Sequence, residues 1–464
     1  MRALLVVPDF PVPAKRKVNH DFLPIGLLKI GTYMRKCLGW EVSLAFGNRK
    51  SRFVPDEIWI TSLFTYWSKQ VVESARFYRD RYPKARILVG GIYASLMPDH
   101  CGDSTGADVH VGLFEPAESW CAEHGVDYSL LRRKMDFQII HGMRGCFRKC
   151  KFCGTWKIEP RMSSDRLVAS RVVRNHVVFY DNNFLKNRYI RDVLRELAVV
   201  RVKRKRVVYE CQSGFDGRIM DQELADLLHD ANFMNPRIAW DNSYQDWPKI
   251  ENQVRLLENA GYKRKDVSIF MLYNWEYPFE VLERKRLKCW EWGVQISDCR
   301  FRPLDQTYDN YCPRTVQTNE DYYIHDKWTD KEIKQFRKNV RRHNICVRHG
   351  FKFHSKWLEN MRVSKKQYVI LSKSPRKLVR KRLSDAWYPD QFTAPETAAH
   401  LTKTPVRGRP LRYVGDSNEE REFPEEQVVD TSSFGTEGLV VPISDFVQHQ
   451  QIRFETVASI VLCL

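Results

Sequence analysis

Residues 137–160 read FQIIHGMRGCFRKCKFCGTWKIEP, from Phe137 to Pro160. A short β-like run, Phe137-Gln138-Ile139-Ile140, feeds a loop that carries Cys146, Cys150 and Cys153. The spacing is Cys-x3-Cys-x2-Cys. Three thiolates on one short loop can each hold one iron of a [4Fe–4S] cube and leave the fourth iron without a protein ligand. An open iron can bind and activate a substrate, as the open position of a catalytic metal does. The spacing alone also suits a zinc knuckle or three unrelated core cysteines. The context counts against both. A strand precedes the loop, Arg144-Gly145 sits before the first Cys, Phe152 precedes the last and Gly154 follows it. No nearby Cys or His pair completes a zinc tetrahedron at ordinary spacing.

On Arg144, Gly145, Cys146, Cys150, Phe152 and Cys153 the sequence resembles the radical S-adenosylmethionine (SAM) enzymes. The resemblance implies that the three cysteines bind the cluster and are the catalytic and metal-binding residues. It implies that the open iron chelates the amino and carboxylate groups of SAM. An electron from the reduced cluster, supplied by an external donor such as a flavodoxin or ferredoxin, then breaks the sulfur–carbon bond. The resulting 5′-deoxyadenosyl radical abstracts hydrogen from a substrate that the sequence does not name. The cofactor carries the hard chemistry; the protein positions it and excludes water.

The chain has 464 residues, enough for two to three domains and a large core. An apolar fraction of 43% is ordinary for a soluble protein and argues against global disorder. Met1 to Val7 is too short for a signal peptide and reads as a first strand. No stretch approaches the roughly 18 apolar residues needed to span a membrane. The last residues, Val457 to Leu464, are also too short, and Cys463 is misplaced for prenylation. Twelve cysteines without a secretory signal point to a reducing cytoplasm and to free or metal-bound thiols. The formal charge of +19 admits a nucleic-acid partner, or a basic surface that attracts acidic substrates. Basic runs occur at Arg201–Arg206, Arg337–Arg342 and Arg376–Arg382; the first reads as a solvated turn between a helix and a strand.

Residues from Arg2 to about Trp120 alternate between strand and helix patterns. Strands are expected at Ala3–Val7, Glu41–Ala45, Glu57–Ser62 and Arg86–Val89, and helices at Pro24–Met34 and Lys69–Tyr82. Short buried strands separated by helices imply a parallel, doubly wound sheet. Ligands on such sheets bind at the carboxyl ends of the strands. Those ends carry Ser62 with Thr65, and Gly90-Gly91 with Ser95. The segment resembles the flavodoxin-like cobalamin (B12)-binding domain that precedes many radical SAM domains. The matching pieces are Pro24-Ile25-Gly26-Leu27-Leu28, Ser62 with Thr65, Gly90 to Ser95, and Pro98. The resemblance makes Ser62, Thr65, Gly90 and Gly91 candidates for a cobalamin site. It lacks the Asp-x-His-x-x-Gly motif that some cobalamin proteins carry after the first strand. Asp108-Val109-His110-Val111-Gly112 is one residue short and lies after the fourth strand, where it reads as a domain-closing strand with His110 in core or surface. His20 lies in the correct loop and reads as a surface residue. Two readings of this domain stand: one that binds cobalamin, and one that kept the fold and lost the ligand.

From Gln138 on, strand signals recur at intervals of roughly 30 residues, the length of one βα unit. They fall at Gln138–Ile140, Val177–Tyr180, Val207–Glu210, Arg237–Trp240, Val267–Leu272 and Val294–Ser297. Six units make a partial (βα)6 barrel, with its site at the carboxyl ends of the strands. The polar residues at those ends are Asp181-Asn182-Asn183, Gln212-Ser213, Asp241-Asn242-Ser243, Tyr273-Asn274, and Asp298 with Arg300 and Arg302. In the family resembled, such positions contact SAM and substrate. Asp181 and Asn183 stand where many members hold the SAM amino group, and a carboxylate there forms a charge-assisted hydrogen bond. Asp181 or Asn183 could equally cap the following helix. Asp241 and Ser243 are candidates for the ribose or carboxylate, Ser213 is a further SAM candidate, and Phe152 is expected to place its backbone against the adenine.

Cys289, Cys299, Cys312 and Cys346 admit two readings, ligands of an auxiliary cluster or buried structural thiols; their irregular spacing, without a tight Cys-x2-Cys pair, favours the second. After about Ser374 glycine, proline and acidic residues rise, as in a loosely packed, partly disordered tail. The expected organisation is α/β: a B12-binding-like domain over 1–125, a radical SAM partial barrel over 130–350 and a C-terminal extension over 351–464. The expected activity is radical SAM chemistry. Its alternatives are cobalamin-dependent methyl transfer, and an RNA- or tRNA-modifying or nucleic-acid-binding protein.

Overall fold

A computed structural model describes residues 1–12, 23–133 and 135–350, and beyond them only a few short strands between 368 and 442. The expectations for His20, for Cys463 and for the order of the tail lie outside the described residues.

Five strands, β1 (Arg2–Val7), β2 (Glu41–Phe46), β3 (Glu57–Ser62), β4 (Arg86–Gly91) and β5 (Asp108–Val109), form one parallel sheet in the order β2-β1-β3-β4-β5. Ala3 to Val7 are all buried, because a parallel strand is covered on both faces and so reads as a continuous apolar run. Helices α1 (Ile25–Lys36), α2 (Ser68–Arg81), α3 (Ile92–Leu96), α4 (Pro98–Thr105) and α5 (Glu115–His124) connect and cover the strands. The strand order reverses between β1 and β3, so the crevice of this sheet opens at their carboxyl ends.

The second half begins with β6 (Phe137–Ile140). A short antiparallel pair, β7 (Met143–Arg144) and β8 (Ser163–Ser164), brackets the cysteine loop and the single turn α6 (Thr155–Ile158). There follow β9 (His176–Phe179), α7 (Ile190–Val199), the hairpin β10 (Arg201–Val202) and β11 (Lys205–Arg206), β12 (Val208–Cys211), α8 (Gln222–Asp230) and β13 (Arg237–Ala239). The last elements are α9 (Trp247–Asn259), β14 (Ser268–Tyr273), α10 (Phe279–Trp292), β15 (Gln295–Arg300) and α11 (Asp330–His349). The long strands form two parallel three-stranded sheets, β12-β9-β6 and β13-β14-β15, with one parallel bridge between Phe215 and Ile238. Helices start where side chains answer free amides. Asp221 accepts from the Leu224 amide ahead of α8, and Thr329 and Glu332 form a capping box on α11. In α7, Ile190, Val193, Leu194 and Leu197 recur at helical spacing and are buried.

Among the described residues two large apolar cores result, beside a small cluster of Phe270, Leu272, Cys299 and Phe301. One is built on β1, β3, β4 and their helices and reaches Ile139 and Val178; the other runs from Ile140 to Val340. The two halves meet on the flank of the cysteine loop, where α3 packs on α6. A chain of buried charges crosses the junction: Lys29 of α1 pairs with Glu118 of α5 at 2.5 Å, Glu118 with Arg144 at 3.8 Å, and Arg144 with Glu159 at 3.1 Å. Arg144 and Lys29 hold the Glu118 carboxyl below its ordinary range although burial opposes this. Among the described residues no helix is long and apolar enough to cross a membrane.

Some expectations change in detail. The basic run Arg201–Arg206 is a hairpin, not a plain turn. Asp330–His349 form one 20-residue helix. Cys289, Cys299 and Cys346 are buried, but Cys312 is only half-buried, because it lies in the irregular segment before α11.

Candidate active site

The cysteine loop leaves β7 through Gly145, whose φ is +74°. A Cβ built there would stand 2.4 Å from the Arg161 carbonyl oxygen, so only glycine lets the two backbones meet. The Gly145 amide donates to Glu159 Oε2 at 2.9 Å, and Asn182 Nδ2 donates to the same oxygen at 3.0 Å. Glu159 thus ties the entry of the loop to the end of β9. Within the loop the Cys153 amide donates to the Cys150 carbonyl at 3.1 Å, and Trp156 Nε1 donates to the same carbonyl at 3.3 Å.

Cys146, Cys150 and Cys153 all line one cavity of about 210 Å³, together with Phe152, Thr155, Asn182, Asn183, Ser213 to Arg218, Trp240, Asp241, Asn242, Asp246, Lys249, Ile250 and Gln253. Among the described residues no three His, Cys, Asp or Glu side chains converge as ligands of a single metal ion. A structural zinc needs four such ligands at about 2.0–2.3 Å from one point. An iron–sulfur cube spreads its thiolates over separate irons. Burial and the neighbouring Cys153 push the Cys150 thiol up to about 11, so its thiolate calls for a strong positive partner.

The polar wall opposite is incompletely satisfied. Asn183 Oδ1, Asp241 Oδ1 and Gln253 Oε1 are buried acceptors without a hydrogen-bond partner. Leaving such atoms unmet costs about 1–3 kcal/mol each, so three around one cavity is a strong demand for donors. Asn183 Nδ2 meanwhile donates to Asp216 Oδ2 at 3.2 Å and approaches Cys146 Sγ at 3.8 Å. Asp216 also accepts from Arg148 Nε at 2.5 Å and from Arg218 Nε at 2.8 Å. Those arginines keep its carboxyl below the ordinary range against the effect of burial. Burial raises the Asp241 carboxyl to about 6, offset in part by Lys285 and Arg218. Lys285 is buried behind Asp241 and donates to the carbonyls of Trp240 and Asn242, which fixes the turn that presents the carboxyl.

The residues anticipated from sequence therefore separate into groups. Phe152, Asn183, Ser213 and Asp241 stand with the three cysteines on one cavity. Asp181 does not line it. Asp181 is fully buried; its Oδ2 accepts from the Gly142 amide at 3.1 Å, and it makes no cap to the following helix. Burial raises its carboxyl to about 7. Ser243 caps the turn Tyr244–Asp246 by accepting from the Gln245 amide. Asp216 and Arg148 had no signal in sequence, since their pair forms between loops 68 positions apart, whereas Arg218 lies on the same loop as Asp216.

On the sheet edge of the first half, Ser62 Oγ donates to the Gly90 carbonyl at 2.9 Å and accepts from the Ala94 amide at 3.1 Å. Thr65 is buried. Gly91 has φ +104°, and a Cβ there would meet the Ser62 carbonyl oxygen at 2.2 Å. Gly90 and Gly91 line a second cavity of about 150 Å³ with Lys29, His110, Glu118, His141 and Arg144, at the junction of the two halves. His110 Nε2 and Arg144 Nε are buried there without partners. Burial, with Lys29, Arg144 and Arg171 nearby, drives the His141 pKa well below its ordinary value, so it is neutral.

No family model matches this sequence, and no curated protein matches it. Among solved structures the chain is similar to the radical S-adenosylmethionine methyltransferase TsrM from Kitasatospora setae, determined with cobalamin and a [4Fe–4S] cluster bound. The identity is 16%, the TM-score is 0.51, and the match covers 65% of this chain and 75% of that one. At that identity the likeness lies in architecture alone: over the matched part this chain shares the fold of that protein.

Proposed function

We propose that the protein is a radical SAM enzyme, with residues 1–125 as a B12-binding-like, flavodoxin-like domain and 130–350 as a partial (βα)6 barrel formed by the two three-stranded sheets. The observation that carries this reading is the pairing, on one cavity, of three thiols with three unmet acceptors. A [4Fe–4S] cluster bound to Cys146, Cys150 and Cys153 would supply the electron that cleaves SAM. The protein's part is placement. Asn183, Asp241 and Gln253 offer acceptors to the ammonium, amino and hydroxyl groups of SAM. Glu159 and Gly145 fix the start of the cysteine loop. Phe152, in edge contact with Trp275, closes one side of the cavity. An external reductant and a substrate complete the reaction. Anaerobic reconstitution should load about four irons and yield 5′-deoxyadenosine from SAM under reduction. Protein that takes up zinc only and leaves SAM intact would overturn the proposal.

A second reading, cobalamin-dependent methyl transfer, is favoured by the fold likeness and by the junction cavity with its unmet His110 and Arg144 nitrogens. The hydroxyls of Ser62 and Ser95 are engaged within the protein, donating to the Gly90 and Gly91 carbonyls, so the group this edge leaves open is His110 Nε2. Cobalamin would supply a methyl carrier there. A stoichiometric corrinoid retained through gel filtration after incubation with hydroxocobalamin supports this reading, and its loss refutes it.

A further inference from the structure

Thr155 opens the single turn α6, just after the last cysteine, and is buried, 3% exposed. Its hydroxyl oxygen lies 3.3 Å from Cys153 Sγ and 3.3 Å from Asn182 Oδ1. Asn182 is anchored in turn, since its Nδ2 donates to Glu159 Oε2 at 3.0 Å. With Cys153 as a thiol, the donors run from sulfur to hydroxyl to amide oxygen. A thiolate has no proton to give. The one Thr155 proton then chooses between a charged sulfur and a neutral amide oxygen at equal distance. A bond to an ionised acceptor is roughly twice as strong as a neutral one, so the sulfur wins. Asn182 is half-buried on the cavity wall, so the oxygen it releases is within reach of solvent. Asn183 Nδ2, near Cys146, is spent differently. It lies 3.8 Å from that sulfur but 3.2 Å from the Asp216 carboxylate, which takes it.

We propose that Thr155 sets the reduction potential of the [4Fe–4S] cluster by donating its hydroxyl to the Cys153 thiolate. The inference rests on the radical SAM reading and adds to it a positioning residue that acts through Cys153. One electron from the external reductant adds one negative charge to the site, and part of that charge falls on the thiolate sulfurs. A donor aimed at a sulfur is therefore worth more after reduction than before, and it raises the potential. Asn182 keeps the hydroxyl beside the sulfur. A threonine that only packed would fill the same space without this effect, and valine has nearly the same shape.

The test uses the full-length protein as wild type, Thr155→Val and Thr155→Ser. Each is reconstituted anaerobically, assayed for iron, and titrated with dithionite through redox mediators while electron paramagnetic resonance follows the reduced cluster. All three should load about four irons. Where the wild type is half reduced, Thr155→Val should show a ratio of reduced to oxidised cluster about tenfold lower, a midpoint about 59 mV more negative for one electron. Thr155→Ser keeps the hydroxyl and should stay with the wild type. Thr155→Val at the wild-type potential overturns the proposal. So does a Thr155→Ser shifted as far as Thr155→Val, which would trace the change to packing. Thr155→Ala reads the same quantity if Thr155→Val fails to load iron. Iron lost from both overturns the proposal, since the residue would then serve loading. A wild type that loads no cluster sinks the radical SAM reading and this inference with it. A loaded wild type that cleaves SAM, with a potential indifferent to Thr155, sinks this inference alone.

Discussion

Two strand-end regions of this chain carry the same kinds of residues and use them in opposite ways. At the carboxyl edge of the first sheet, Ser62 and Ser95 each both donate and accept hydrogen bonds within the protein, and Gly91 packs against Ser62. At the mouth above β9 and β13, Asn183 and Asp241 keep acceptors that nothing in the protein answers. A buried polar group is normally paired, so a residue's type and strand-end position say less than whether its hydrogen bonds are already spent. The first edge is largely finished as structure, with His110 its open exception; the second waits for a ligand.

The largest expected effect falls on the thiols. Cys150→Ser should remove most of the iron and lower SAM cleavage by more than about a hundredfold, since a hydroxyl is a poor substitute for a thiolate on iron. Iron assay and product chromatography read both quantities. Folding should persist, because Cys150 is only partly buried. Retained iron at the wild-type ratio would remove the cavity's claim to be the cluster site.

Asp241→Asn comes next. Its carboxyl, raised to about 6 by burial, is ionised at pH 8 and mostly neutral at pH 5. Affinity for SAM should therefore rise with pH through about 6 in the wild type. The Asn variant should show about tenfold weaker binding at pH 8 and no such step, as a charge-assisted bond is worth about 1.5–3 kcal/mol. Stability runs the other way. The folded pKa lies above the unfolded value of about 3.9, so the native state holds the extra proton between them and loses that advantage as pH rises through 6. Without ligand, Asp241→Asn should thus melt higher than the wild type at pH 8 and close to it at pH 4. A pH-independent wild type would mean that Asp241 does not meet SAM.

Much of this was legible in the sequence, and for stated reasons. Parallel strands are apolar throughout, so β1, β3, β4 and β14 stand out, and the cysteine spacing needs only one short loop. The direction of a side chain beyond a strand end was not legible. β9 stops at Phe179, so the alternation of the strand no longer governs Asp181, which turns back to the Gly142 amide and leaves Asn183 at the mouth. Ser243 sits two residues beyond Asp241 and is consumed as a cap. The Asp216 pair with Arg148 depends on which loops meet, and no local pattern encodes that.

The smallest effect is expected at Ser62. Ser62→Ala removes a hydroxyl that bridges the Gly90 carbonyl and the buried Ala94 amide, and so leaves both groups to find other partners. The cost should be about 1–3 kcal/mol, read as a lower denaturation midpoint with an unchanged slope. Iron content and SAM cleavage should stay at wild-type levels, since the cysteine cavity is built from other strands. If Ser62 is structural, corrinoid retention, where the wild type shows any, should survive at a temperature where the variant is folded. Suppose instead that stability is unchanged and corrinoid is lost. Then the hydroxyl breaks its bonds to Gly90 and Ala94 to meet the ligand, and the first edge is an unfinished site in the same sense as the second.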